Sequence, residues 1–247
     1  MATVDKIAVF DTETDGTDLE NGHIVTAFAG LMNMQGELIE KHDWLIDFGG
    51  EIPDGAAEVH GITTERMRAE GRKDVGKAIF EIAQRLDIYD RQGIPVVIYN
   101  APFDLTLLDR EMRRHGFPSG NRAPSYVIDP LVLDKAIDKY RKGSRKLVDT
   151  AKHYGVAVRE DAHDAEADCV MTGQVALKLL THPRLKDMPL ATIHAKTKAS
   201  KREQADSFRI YKIKEAKAMI DPEESAAALA KTETISSEWP MVEWVAA

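Results

Sequence analysis

The stretch Lys6-Ile7-Ala8-Val9-Phe10-Asp11-Thr12-Glu13-Thr14 decides the fold. Its apolar opening reads as a short buried strand over residues 6–10, running directly into two acids. Residues two apart on an extended chain project to the same side, so Asp11 and Glu13 can face one site at the strand's C-terminal end. A solvated strand end or turn-capping acids would leave the same pattern, and Asp-x-Glu alone does not separate these readings.

Turn signals follow at Asp15-Gly16-Thr17-Asp18 and Asn21-Gly22. An apolar run over 23–32, a Gln35-Gly36 hairpin turn and a third strand over 37–48 come next. Three strands joined by short turns predict an antiparallel meander. Helical periodicity then takes over. Val75, Ala78, Ile79, Ile82, Leu86 and Ile88 mark a helix over 75–89, capped by Asp74 and ended by Gly93. A compact strand over 95–99 leads into a helix over 102–115, with Pro102 in its first turn and Gly116 closing it. A strand over 125–129 and helices over 130–140, 145–154 and 164–180 complete the pattern. Three strands followed by alternating helix and strand imply an α/β layered fold. Its mixed five-stranded sheet is flanked by helices, and it is not a doubly wound, all-parallel sheet.

The core domain is expected to span 1–180, with 181–247 as a C-terminal extension. Pro183 and Pro189 break helices, the polar stretch 197–206 leads to a helix over 207–220, and Trp239 and Trp244 form an aromatic tail expected to pack on the core or on a partner.

The 247 residues suffice for one well-buried core, and 43% apolar with 30% charged residues is ordinary for a globular protein. The single cysteine, Cys169, excludes a disulfide framework within the chain and a four-cysteine zinc site, and fits a reducing, cytoplasmic setting. No apolar run reaches the roughly 18–20 residues of a membrane helix, and the N-terminus has no signal-peptide pattern. The net charge of −8 argues against broad nonspecific nucleic-acid binding. Carboxylates neutralised by metal ions weaken that argument, as do basic clusters at 141–146 and 196–202.

Two further clusters carry chemistry. In Asn100-Ala101-Pro102-Phe103-Asp104 the strand ends, Pro102 starts a helix, and Asp104 lies in the first turn. An acid there suits the helix dipole and suits a metal ion equally. Phe103 suits the core or a substrate's sugar or base. In His163-Asp164-Ala165-Glu166-Ala167-Asp168 the histidine precedes a helix and Asp168 sits about one turn inside it. A histidine of near-neutral pKa can take a proton from water, and it can also be structural or simply exposed. Asp161, Asp164 and Glu166 are competing acids, with Asp164 read as an N-cap and Glu166 as solvent-facing. A nest of acids with no basic partner nearby in sequence needs cations, and hard oxygen ligands suit Mg²⁺ or Mn²⁺. Two such ions about 3.5–4 Å apart can drive phosphodiester hydrolysis.

Together the three segments resemble the three motifs of the DEDDh exonuclease family, which includes proofreading epsilon subunits of bacterial DNA polymerase III, ribonuclease T and oligoribonuclease. Asp11 and Glu13 match Asp-x-Glu; Asn100, Phe103 and Asp104 match Asn-x-x-Phe-Asp; His163 and Asp168 match His-x-x-x-x-Asp. Val59-His60-Gly61-Ile62-Thr63 is similar to the Val-His-Gly-Ile segment of the proofreading members, which lies beside the terminal nucleotide. The resemblance covers roughly residues 4–180 and implies a ribonuclease-H-like three-layer fold and a 3′–5′ exonuclease releasing 5′-mononucleotides, in proofreading or repair. It implies two Mg²⁺ (or Mn²⁺) held by Asp11, Glu13, Asp104 and Asp168, with His163 as the base. It places Thr12, Thr14, Val59, His60, Asn100 and Phe103 against the substrate. The implied partners are single-stranded 3′ ends, with DNA favoured over RNA on the 59–63 segment, and a DNA polymerase. An exoribonuclease of the same fold and a noncatalytic polymerase-binding scaffold are the competing readings.

Overall fold

A computed structural model describes residues 5–118, 120–158 and 165–245. Strands β1 (Lys6–Thr14), β2 (Ile24–Asn33) and β3 (Leu38–Leu45) form the antiparallel meander. Strands β4 (Val96–Val97) and β5 (Val127–Ile128) add in parallel on the other edge of β1, giving the order β3-β2-β1-β4-β5. The mixed five-stranded sheet is as the sequence predicts, and β1 lies at its centre.

Alternation along β1 divides the molecule into two layers. Ala8 and Phe10 enter a core with α3 (Val75–Arg91) and α4 (Pro102–Arg114), while Ile7 and Val9 enter a second core with α7 (Ala165–Leu180). The strand extends four residues past its expected end at 10. β2 continues to pair with it, matching Asp11 to Phe28, Thr12 to Ala27 and Glu13 to Thr26. The register then slips, so that Thr14 opposes Ile24 and the buried Val25 bulges out of the ladder. Val25 instead accepts from the Ile46 amide at 2.9 Å and packs in a small satellite core with Ile52, Ile62 and Met67.

Two short helices, α1 (Asp54–His60) and α2 (Thr64–Glu70), fill the connection after the meander. Gly61 ends the first at φ 71°, and the Thr63 hydroxyl caps the second by accepting from the Arg66 amide at 3.2 Å. Asp74 precedes α3 as predicted, but its carboxylate does not cap the helix; it pairs with Arg72 at 2.8 and 2.9 Å. Helices α5 (Pro130–Ile137) and α6 (Leu147–His153) follow β5.

Beyond α7, the stretch 197–206 is not a connector. It lies inside α8 (Leu190–Lys217), a helix of 28 residues followed by α9 (Pro222–Glu233). Only Ile193, Thr197, Ala205 and Ala216 of α8 are buried, too sparse a stripe to stand out in a sequence otherwise rich in lysine and arginine. The helix is seated by polar contacts: Val127 donates its amide to His194 Nδ1 at 3.1 Å, and Gln204 donates to the Val132 carbonyl at 3.0 Å. Trp239 is 2% exposed and lies in the core with α3 and α4, whereas Trp244 is largely exposed over the Arg113 guanidinium at 4.3 Å. Among the described residues, no helix is long and apolar enough to cross a membrane.

The approach of α7 to the sheet rests on small residues. A Cβ built on Gly173 would come within 2.9 Å of Val9 Cγ1 and 2.7 Å of Met32 Sδ. Ala165, Ala167, Cys169 and Ala176 keep the rest of the helix's packed surface thin. Gly173→Val should overpack this contact, lowering unfolding free energy by about 1–3 kcal/mol. Denaturant titration checks this; unchanged stability would show that α7 does not need this close approach.

Candidate active site

The odd face of β1 that buries Ile7 and Val9 continues upward into Asp11 and Glu13. The same face meets α7, whose first turn carries Asp168. Each of the three acids offers a carboxylate oxygen within 4.8 Å of the others, and all three are half-buried near the strand's end. Their donors are all hard oxygens, so the cluster has the chemistry and spacing to hold a divalent cation.

The even face supplies the fourth acid. Thr12 points towards α4, and both its amide (3.0 Å) and its hydroxyl (2.7 Å) donate to Asp104 Oδ1. Asp104 is 3% exposed, in the first turn of α4. The turn leading into α4 is unusual: Asn100 is the one non-glycine with positive φ (64°) among the described residues. Asp129 holds it there, accepting the Asn100 amide on Oδ1 and the Ala101 amide on Oδ2, each at 3.1 Å. Asp129 also caps α5 through the Leu131 and Val132 amides at 3.1 and 3.3 Å.

The electrostatics follow from this crowding. Burial pushes the Asp11 pKa well above the ordinary carboxylate range, and Asp104, Glu13 and Asp168 each add to the rise. Burial likewise pushes Asp104 up to about 7, although Thr12's donations oppose it. Ionised together, these groups repel; a divalent ion would reverse the sign of that interaction.

The sequence-predicted residues divide clearly. Asp11, Glu13 and Asp168 converge, and Asp104 stands behind them through Thr12. Thr12, expected against substrate, has its hydroxyl committed to Asp104. Thr14 donates its hydroxyl to the Gly16 carbonyl at 2.6 Å, shaping the loop that leaves β1. His60 is buried at the end of α1, faces the Thr14 backbone, and accepts the Ile62 amide on Nδ1 at 3.2 Å. Burial lowers its pKa and favours the neutral ring. Its neighbour Val59 is 55% exposed. Asn100 and Phe103 are half-buried at the start of α4. His163, like Asp161 and Asp164, lies outside the described residues. Glu166, read as solvent-facing, forms a 3.1 Å ion pair with Lys41.

Arg145, in the basic cluster at 141–146, is occupied within the chain: it donates to the buried Asp134 and to the Asp138 carbonyl. The residue that sequence reading overlooks is Asp129. Its signal was present, since an acid at a strand's end directly before proline is a helix N-cap pattern. Its bonds to Asn100 and Ala101 were not legible.

The exonuclease family model RNase_T matches residues 8–176. The chain is 33% identical over 191 residues to a DNA polymerase III subunit epsilon-like protein of Rhodobacter capsulatus, covering 76% of this chain and 25% of that relative. It is 29% identical over 177 residues to the PolC-type DNA polymerase III of Streptococcus agalactiae, covering 71% of this chain and 11% of that one. The chain thus spans no more than about a quarter of the length of these curated relatives. Among solved structures, the zinc-bound complex of E. coli exonuclease I with single-stranded DNA aligns at TM-score 0.59 and 22% identity, over 75% of this chain and 42% of that one. Exonuclease X in complex with 5′-overhanging duplex DNA aligns at 0.51 and 18%, over 77% of this chain and 99% of that one. Both show the ribonuclease-H-like fold.

The raised pKa values have a consequence for stability. Between the ordinary carboxylate pKa and about 7, folded Asp104 retains a proton that the unfolded chain releases. Metal-free stability from this group is therefore fullest at low pH and falls as pH rises from about 4 to 7. In EDTA, Asp104→Asn should flatten that decline relative to wild type, and Mn²⁺ at pH 8 should raise the melting temperature of wild type more than that of the variant. Thermal melts across pH check both; parallel pH slopes for the two proteins would contradict the assignment.

Proposed function

We propose that this chain, which belongs to the RNase_T exonuclease family, is a divalent-metal-dependent 3′–5′ exonuclease that releases 5′-mononucleotides from single-stranded DNA ends. The observation that carries the reading is the convergence of Asp11, Glu13 and Asp168 oxygens within 4.8 Å, with Asp104 anchored beside them through Thr12. In this reading Asp11, Glu13 and Asp168 would hold one divalent ion, and Asp11 with Asp104 would support a second. Mg²⁺ or Mn²⁺ bound there would neutralise the acids and stabilise the attacking and leaving oxygens of an in-line displacement.

The chain's own residues do the rest. His163 accepts the proton of the attacking water. His60, kept neutral by burial, and Thr14 close the end of β1, where the terminal nucleotide sits. The exposed Val59 and the half-buried Phe103 offer apolar surface to its base and sugar. Asn100 orients the turn from which Phe103 projects.

We place the catalytic unit in 1–180 and assign 181–247 as an extension, in a cytoplasmic protein. A DNA polymerase is the proposed partner, supported by relatives that are DNA polymerase III proteins in which the matched segment is 25% and 11% of the length. The preference for DNA over RNA rests on the likeness of residues 59–63 to the proofreading type.

Digestion of 3′-labelled single-stranded DNA and matched RNA tests the reading. Mg²⁺ or Mn²⁺ should support stepwise release of mononucleotides from DNA, with RNA digested more slowly and EDTA stopping both. Asp11→Ala should abolish the reaction, and His163→Ala should slow it by about 10²–10⁴-fold. Internal cleavage, or full activity of a folded Asp11→Ala protein, would reject the assignment.

A further inference from the structure

We infer that residues 239–244 form a positioning strap for Asp104, holding α4 and the carboxylate in its first turn at the place the acid cluster requires. The inference rests on the reading of that cluster as a metal site.

The strap begins at Trp239. Its ring is buried, tilted against His194 of α8 at 4.8 Å between ring centroids, and its indole N–H donates to Asp129 Oδ2 at 3.1 Å. This is the carboxylate that accepts the Asn100 and Ala101 amides immediately before α4. Trp239 therefore completes the hydrogen bonding of the group that fixes the entry into that helix. Oδ2 has two recorded donors, the Ala101 amide and the indole, so removing the indole halves the set.

The chain then runs along the helix. Val242 donates its amide to Thr106 Oγ1 at 2.9 Å, and Arg110 donates to the Val242 and Glu243 carbonyls, each at 3.3 Å. Trp244 lies over Arg113. Thr106, Arg110 and Arg113 are spaced by four and three residues, one stripe of a helix. Asp104 is two residues before Thr106, about 200° around the helix at 100° per residue, and faces Thr12 of β1. Strap and sheet thus grip α4 from opposite sides. Trp239 reaches Asp104 through Asp129 and the start of α4, and is a positioning residue. A site of this kind needs its side chains within about 0.5 Å of the working geometry, which makes the grip on the helix consequential for ion binding.

Two variants of the full chain test this. Trp239→Phe keeps most of the ring and deletes the donor; Thr106→Val is nearly isosteric and deletes the acceptor for Val242. At a temperature where melts show both folded, Mn²⁺ binding is measured by calorimetry without nucleic acid, together with the Mg²⁺ concentration for half-maximal digestion. Each variant should weaken Mn²⁺ binding and raise the half-saturating Mg²⁺ by about 3–30-fold. The rate at saturating metal should stay within about two-fold of wild type. Unchanged Mn²⁺ affinity in folded variants, or a lower maximal rate with unchanged metal dependence, would overturn the strap. If Trp239→Phe melts below the assay temperature, Thr106→Val decides. A wild-type chain that binds no Mn²⁺ would instead reject the metal-site reading.

Discussion

Like-charge crowding at the end of β1 is the constraint that the rest of the structure has to satisfy. Asp11 sits among Asp104, Glu13 and Asp168, and every one of them disfavours its ionised form. Two unit charges 4 Å apart in a protein environment repel by about 4 kcal/mol. A chain that gathers four acids therefore needs strong apolar contacts just below them. Those contacts are present: Ile7, Val9, Phe28 and Met32 of the sheet pack against Cys169, Val175 and Ala176 of α7, with Leu105 and Leu108 of α4 packed on the opposite side. Fully burying a large apolar side chain contributes about 1.5–3 kcal/mol. A handful of them outweighs the repulsion, and Gly173 lets the helix come close enough to make those contacts.

The central strand also explains why the acids arrive from three distant segments. Its odd positions point at α7 and its even positions at α4, so one strand addresses two helices. Asp11 and Glu13 meet Asp168 on one side, while Thr12 reaches Asp104 on the other. The pleat thus places two clustered acids and, between them, the residue that holds Asp104 along three positions of sequence. The bulge after Glu13 shifts the pairing with β2 by one residue, so that Thr14 opposes Ile24 just beyond the acids.

Much of this was legible in the amino-acid order, because it depends on local periodicity and spacing. The five strands, the two-residue repeat of Asp11 and Glu13, and the Pro102 start of α4 are each written in a few neighbouring residues. What was not legible depends on which distant surfaces meet. The committed hydroxyl of Thr12 could not be seen, because Asp104 lies 92 residues away. Within the basic cluster at 141–146, the pairing of Arg145 could not be seen, because Asp134 sits on another element. The long α8 was masked by its charge, since four buried residues in 28 leave almost no apolar signal. Trp239 announced itself as a ring in need of burial, but nothing local indicated that its N–H would meet Asp129.

Burial of acids is common in this molecule, and so burial alone does not mark the site. Asp109 is fully buried and receives the Arg110 and Arg113 guanidinium groups and the Asn121 amide. Burial raises the Asp134 pKa, but hydrogen bonds from Arg141, Arg145 and Tyr154 outweigh it and hold the group below its ordinary value. Asp129 is met by four amides and an indole. In each case the fold supplies donors or cations from its own chain. Around Asp11 it supplies three more carboxylates instead. The fold meets Asp109 and Asp134 with guanidinium groups and Asp129 with N–H donors, a different setting from the one around Asp11. The crowding that raises the Asp11 pKa is an interaction whose sign a divalent ion would reverse on binding.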